Sequence, residues 1–126
     1  MAKHESRFQG DFDELLNRIN TGILKGSISA SFEDGSDYRN GEFRCAVRVY
    51  ERYSWMGGNR VSLNITLVGK GRDLFFTAIT SGGSQALFFK INTLGEANFL
   101  QCVVDIIEGY KAKPHREVPC KIYKRL

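Results

Sequence analysis

Histidine is the scarcest of the chemically useful residues in this 126-residue chain: only His4 and His115 exist, one in each terminal arm. A serine or cysteine nucleophile activated by histidine needs its base held within hydrogen-bond reach by a rigid frame, and neither arm suggests one. Cysteine is nearly as sparse. Cys45, Cys102 and Cys120 are odd in number and far apart, so they do not read as a disulfide framework. No Cys-x-x-Cys or His-x-x-x-His spacing marks a zinc site. Cys45 and Cys102 read instead as inert core thiols, and the set suits a reducing cytoplasm. These shortages speak against a histidine-dependent enzyme, a metal site and a resident cofactor. Long apolar runs are missing too. Nothing approaches ~18 consecutive apolar residues, so no membrane span is expected. The opening MAKHESRFQGDFDE has no apolar h-region and is not read as a signal peptide.

What is present is ordinary for a soluble domain: 42% hydrophobic and 25% charged residues in a length that suits one core. The formal net charge of +4 is unevenly placed. Residues 111–126 hold six Lys or Arg against one Glu, a net of +5, which leaves residues 1–110 at −1. The chain therefore reads as a single domain over 1–110 with a basic C-terminal tail over 111–126, broken up by Pro114 and Pro119. A nucleic-acid-binding fold usually carries its basic charge on the body, so the excess is weak evidence for such a partner.

The organising stretch is RVSLNITLVGKGRDLFFTAITSGGS, residues 60–84. Val61, Leu63, Ile65 and Leu67 alternate with Ser62, Asn64 and Thr66, the period of a strand with one buried face. After a Gly-Lys-Gly-Arg-Asp break, Leu74 to Thr80 forms a second run, so the pair predicts a hairpin. Only one of Phe75 and Phe76 can face inward. Before this hairpin, residues 4–9 suit a short edge strand. Asp11 then caps a helix over 12–25, with Glu14 completing a capping-box pattern and Phe12, Leu15, Leu16, Ile19 and Ile23 on one face. Ser27 to Glu33 alternates like a strand, and Asp34 to Gly41 has the composition of a polar loop. Phe43 to Tyr53 alternates again, which predicts Cys45, Val47 and Val49 inward and Arg44, Arg48, Tyr50 and Arg52 outward. The pattern falters at Glu51, where a bulge or the end of the core is expected. Beyond the hairpin, Leu87 to Ile91 suits a fifth strand. Thr93 to Glu96 forms a second capping box before a helix over about 94–110, with Phe99, Leu100, Val103, Ile106, Ile107 and Tyr110 buried.

Two amphipathic helices and one sheet with an apolar face imply an α+β two-layer sandwich: an antiparallel four- to five-stranded sheet with an N-terminal and a C-terminal helix on one face. A sheet curved around the C-terminal helix, as in helix-grip folds, is the alternative.

Three groups of residues are candidates for function, and a fourth is set aside. Arg44, Arg48 and Arg52, with Tyr50 between two of them and Asn64 on the next strand, resemble the basic, aromatic-bearing sheet surfaces that hold RNA. The competing reading, that exposed strand arginines are solvated and guard against aggregation, is favoured. Trp55 and Met56 fall in a turn, where they could cover the core edge or anchor a partner. Gly82, Gly83 and Ser84 could form a weak anion nest, although the signature of a P-loop is absent. Glu33 to Asp37 lacks the ligand spacing of a calcium loop.

Two segments, SISASFEDGSDYRNGEFRCAVRVYERYSWMGGNRVSLNITLVG and AITSGGSQALFFKINTLGE, resemble a group of small bacterial proteins classed only as a domain of unknown function. The resemblance covers about residues 5–110. It implies a bacterial cytoplasmic protein and brings no activity and no functional residues with it. The resulting expectation is a non-enzymatic binding or interaction module, a homodimer using its polar sheet face and the Trp55 loop. The alternatives are a helix-grip carrier of a small apolar ligand and an RNA-binding sheet.

Overall fold

A computed structural model describes residues 1–26, 30–54, 59–82 and 89–112, with side chains described at all of these except 54, 59 and 89–98. The order is β1 (Ala2–Gln9), α1 (Phe12–Gly26), β2 (Ala30–Asn40), β3 (Phe43–Ser54), β4 (Asn59–Lys70), β5 (Asp73–Gly82) and α2 (Phe89–Ala112). The strands form one antiparallel sheet in the order β1-β5-β4-β3-β2. Both helices lie on one face of it: α2 rests on β5, β1 and β4, while α1 touches β4 and β2 and packs against α2. This is the α+β two-layer arrangement that the periodicities predict.

The core sits between the layers. Val61, Leu63, Ile65 and Leu67 of β4 meet Leu74, Phe76 and Ala78 of β5, and all are buried. Leu15, Ile19 and Ile23 of α1 and Phe99, Val103, Ile106 and Ile107 of α2 close over them. Phe76 is therefore the inward member of its pair, and Phe75 turns out. Each helix is anchored at an end. The Asp11 carboxylate accepts the Glu14 backbone N–H at 2.8 Å, the cap that the sequence foretells. The Tyr110 hydroxyl of α2 accepts the Asp11 N–H at 2.8 Å, tying the two helices together at that point.

Four expectations are corrected. The fifth strand is the N-terminal β1, whereas residues 89–91 of the expected Leu87–Ile91 strand belong to α2, which starts before its predicted capping box. The polar stretch from Asp34 is strand, not loop, because β2 continues to Asn40 along β3. Cross-strand pairing overrides local turn composition there. Only Gly41 and Glu42 turn the chain, with Gly41 at φ +63°, the sign a type II′ hairpin requires at its first loop residue. The bulge expected near Glu51 instead lies in β2, between Phe32 and Asp34.

The largest correction concerns β3, whose faces are exchanged. Tyr50 pairs with Leu63, Arg48 with Ile65 and Ala46 with Leu67, so the even residues share the helix-covered face. Cys45, Val47, Val49 and Glu51 pair with Val68, Thr66, Asn64 and Ser62 and point away from the helices. Cys45 is thus a half-buried, free thiol outside the core, while the buried Cys102 is disulfide-bonded. The reading of both as inert core thiols fails on these two counts.

A close helix contact supplies a test. A Cβ on Gly22 would lie 2.6 Å from Cδ1 of Ile106, so the absence of a side chain lets α1 and α2 approach. Gly22→Val is expected to cost about 1–3 kcal/mol in urea unfolding, with Ile106→Ala in the same chain recovering part of the loss. Full additivity of the two changes would refute the contact.

Candidate functional site

Turning β3 over redistributes the residues singled out in the sequence. Arg44 does not stand on an open sheet surface. Its guanidinium lies 4.2 Å from the Phe12 ring centroid and bonds Asp13 of α1 at 2.8 Å. That bond holds the Asp13 carboxyl below its ordinary range and raises Arg44 in return. Arg48 donates to both Asp37 oxygens, at 2.9 and 3.3 Å, and to the backbone carbonyls of Val47 and Ser36. Arg52 reaches over Phe99, 5.7 Å from its centroid, and burial lowers its pKa. Arg44 and Arg52 lay their side chains against aromatic rings of the two helices, whereas Arg48 runs along β2 to Asp37. Tyr50 is fully buried, and its hydroxyl donates to Oδ1 of Asn20 at 2.8 Å. Burial pushes its phenol up to about 12.

Asn64 alone of this set stays on the outer face. The basic sheet surface pictured for RNA is therefore not formed. Gly82 ends β5 with φ +125°, beside the Arg60 carbonyl. Trp55, Met56, Gly83 and Ser84 lie outside the described residues.

Two surfaces emerge from this arrangement. The first is the sheet face opposite the helices. Cross-strand pairing sets Tyr38, Cys45, Val68, Phe75 and Arg7 in one row, and Asp34, Val49, Asn64, Ile79 and Lys3 in another. Between them run Ser36, Val47, Thr66, Thr77 and Glu5. Apolar side chains on this face, Cys45, Val47, Val49, Val68 and Phe75, are half-buried by their neighbours and Ile79 is 37% exposed, and they are interleaved with the uncharged polar Asn64, Thr66 and Thr77. Charge gathers at its margins: the Arg60–Glu51 ion pair at 2.7 Å, Lys70 and Asp73 at a hairpin end, and Lys3, Glu5 and Arg7 along β1. No described helix covers it. Sequence reasoning missed this surface because it assigned Cys45, Val47 and Val49 to the core. The available signal was that β3 carries apolar residues at both parities.

The second surface is a cleft of about 510 Å³ between α1 and the β2 edge, lined by Asp13, Leu16, Asn17, Asn20, Leu24, Phe32 and Arg48. It lies where α1 touches β2 without covering it, so that the residues from Ser31 to Asn40 are all exposed. Among the described residues, no group of three or more His, Cys, Asp or Glu could hold a metal ion, and no helix is long and apolar enough to cross a membrane.

Residues 1–111 match the model of a family described as a family of unknown function (DUF6054), and the chain belongs to it. The resemblance to an uncharacterised domain is thereby established over nearly the whole described chain. No curated protein and no solved structure matches.

The Tyr50–Asn20 bond gives a prediction with a definite sign. Folding raises the phenol from its ordinary 10 to about 12, so the native state holds this contribution below about pH 10 and loses it as pH climbs toward about 12. Tyr50→Phe is expected to cost about 1 kcal/mol near neutrality through the lost hydrogen bond. The gap between parent and variant should then shrink over that alkaline window in denaturant titrations. A gap that widens there would show the assignment to be wrong.

Proposed function

We propose that this member of an uncharacterised family is a non-enzymatic interaction module that pairs with a second copy of itself through the helix-free face of its sheet. The bacterial cytoplasm is the setting that the resemblance implies, but the disulfide at Cys102 runs against the reducing compartment that the cysteine count suggested, so the proposal does not rest on that setting. One observation carries the reading: an apolar band across β2, β3, β4 and β5, ringed by charge, on a face that a single chain leaves uncovered. An uncharged centre, in which this band adjoins Asn64 and Thr66 of the middle strand, with charge kept to the rim, suits a specific protein interface. The size is also suitable. With strands about 4.8 Å apart and a rise of about 3.4 Å per residue, five strands of about ten residues present roughly 800 Å². A standard interface takes about that much from each partner.

The strand order adds a self-complementary geometry. Because β4 is the middle strand, a two-fold axis running along it lays β1 over the partner's β2 and β5 over the partner's β3. Val68 then meets Val68, Ile79 meets Val49, and Lys3 meets Asp34, while Arg7 meets Tyr38. The natural twist of the sheets would tilt the two layers by about 30°. The inward Arg44, Arg48 and Arg52 favour this reading over an RNA-binding sheet, since they leave no basic field on the open face.

Light scattering on the purified chain should give twice the chain mass at micromolar concentration. Val68→Lys puts two ammonium groups at the axis, and an unpaired buried charge costs at least ~3 kcal/mol, or over ~100-fold in Kd. Val47→Lys should weaken association in the same direction, with far-UV circular dichroism unchanged for both. A monomer at millimolar concentration, or a dimer indifferent to both lysines, would remove the proposal.

A further inference from the structure

The cleft beside α1 is independent of the sheet face, and its lining is specific enough to name a ligand class. We infer that it binds an uncharged, flat aromatic molecule bearing a carbonyl that accepts hydrogen bonds. The volume of about 510 Å³ lies within the ~300–1,000 Å³ of small-molecule sites. Its walls are apolar: Leu16 and Leu24 from one side, Phe32 from the other. Leu24 and Phe32 remain 38% and 47% exposed, and nothing described covers them. Phe32 is held edge-on against Tyr50, centroids 5.7 Å apart, so a fixed ring forms one wall. Flat apolar bodies suit such a slot.

The polar groups set the head of the ligand. Asn20 spends its Oδ1 on the Tyr50 hydroxyl, which leaves its NH₂ as the donor available to the cleft. The Asn17 amide lines the same space. A carbonyl oxygen answers both. The charged groups argue for neutrality. Asp13 is committed to Arg44 at 2.8 Å, and Arg48 to Asp37 at 2.9 Å. An anionic head would have to compete with Asp37 for Arg48, and a cationic head with Arg44 for Asp13. An uncharged head disturbs neither pair.

Three near-isosteres with neutral, anionic and cationic heads, of which only the first two carry a carbonyl-type acceptor, test this directly: 2-naphthamide, 2-naphthoate and 2-naphthamidine, each titrated into the ¹⁵N-labelled full chain. The neutral amide should shift the side-chain NH₂ resonances of Asn17 and Asn20 with a Kd of roughly 0.1–1 mM, the range open to a ligand of that size. The anion and the cation should bind at least ~10-fold more weakly, and Leu24→Gln, at an exposed position, should abolish the amide's shifts. Tighter binding by either charged isostere would overturn the inference. So would shifts that survive Leu24→Gln, or no shift at Asn17 and Asn20 at millimolar probe.

Discussion

Tyr50 is among the largest side chains sealed between sheet and helices, and its hydroxyl has one partner, Oδ1 of Asn20 on α1. A buried hydroxyl left unpaired costs about 1–3 kcal/mol, so this bond fixes the position of α1 on the face that β3 turns toward it. A slip of one residue in a strand exchanges its faces. Here it would bring Glu51 inward and break the Arg60 pair that it makes at the outer margin. The register of β3 is held by its ladders to β2 and β4, and this contact locks α1 to the face that the register turns inward.

Arginine on the helix-covered side is tolerable for a physical reason. Arg44 and Arg52 each lie across an aromatic ring, Phe12 and Phe99, and Arg44 also meets a carboxylate that stays largely in water. The stems contribute burial and the charges keep solvent or a counter-ion. Arg48 is handled differently. Its Nη1 bonds two carbonyls and its Nη2 a carboxylate, so it closes the β2–β3 side of the sandwich where α1 does not reach. These contacts explain how a strand with arginines at three inward positions still packs a core. Exposed ion pairs of this kind add little stability individually; their effect here is on orientation.

How far the sequence was legible follows from where its signals were unambiguous. On β4 from Val61 to Leu67 only one parity is apolar, and that set lies where the alternation puts it. On α1 a single stripe is apolar and Asp11 supplies the cap, so both helix and cap were legible. On β3 both parities carry apolar residues, and the choice between them rested on treating arginine as an outside residue. Cross-strand partners decide that choice, and no local pattern contains them. The same gap explains β2: Asp34, Gly35 and Asp37 have turn chemistry, yet pairing with Val49, Arg48 and Ala46 holds them extended. The capping-box pattern at Thr93 was misleading because it lies inside α2, where no helix end needs a cap. The cleft could not be read at all, since it results from the breadth of the sheet relative to two helices.

The two surfaces share a cause. Had Arg44, Arg48 and Arg52 pointed outward, the open face would carry three like charges across its middle, and a two-fold axis along β4 would set that row over the Phe75 strand of the partner. Such a face would stay solvated, and Cys45, Val47 and Val49 would lie beneath the helices. Turning the arginines inward removes that charge from the sheet and delivers Arg48 to the edge of α1, where Asp37 neutralises it. The same rotation therefore leaves the middle of the outer face uncharged and pairs the charged groups that line the α1 cleft. A single register choice in β3 thus sets the character of both sides of the molecule: an uncharged sheet face on one, and on the other a cleft whose charged groups are already paired.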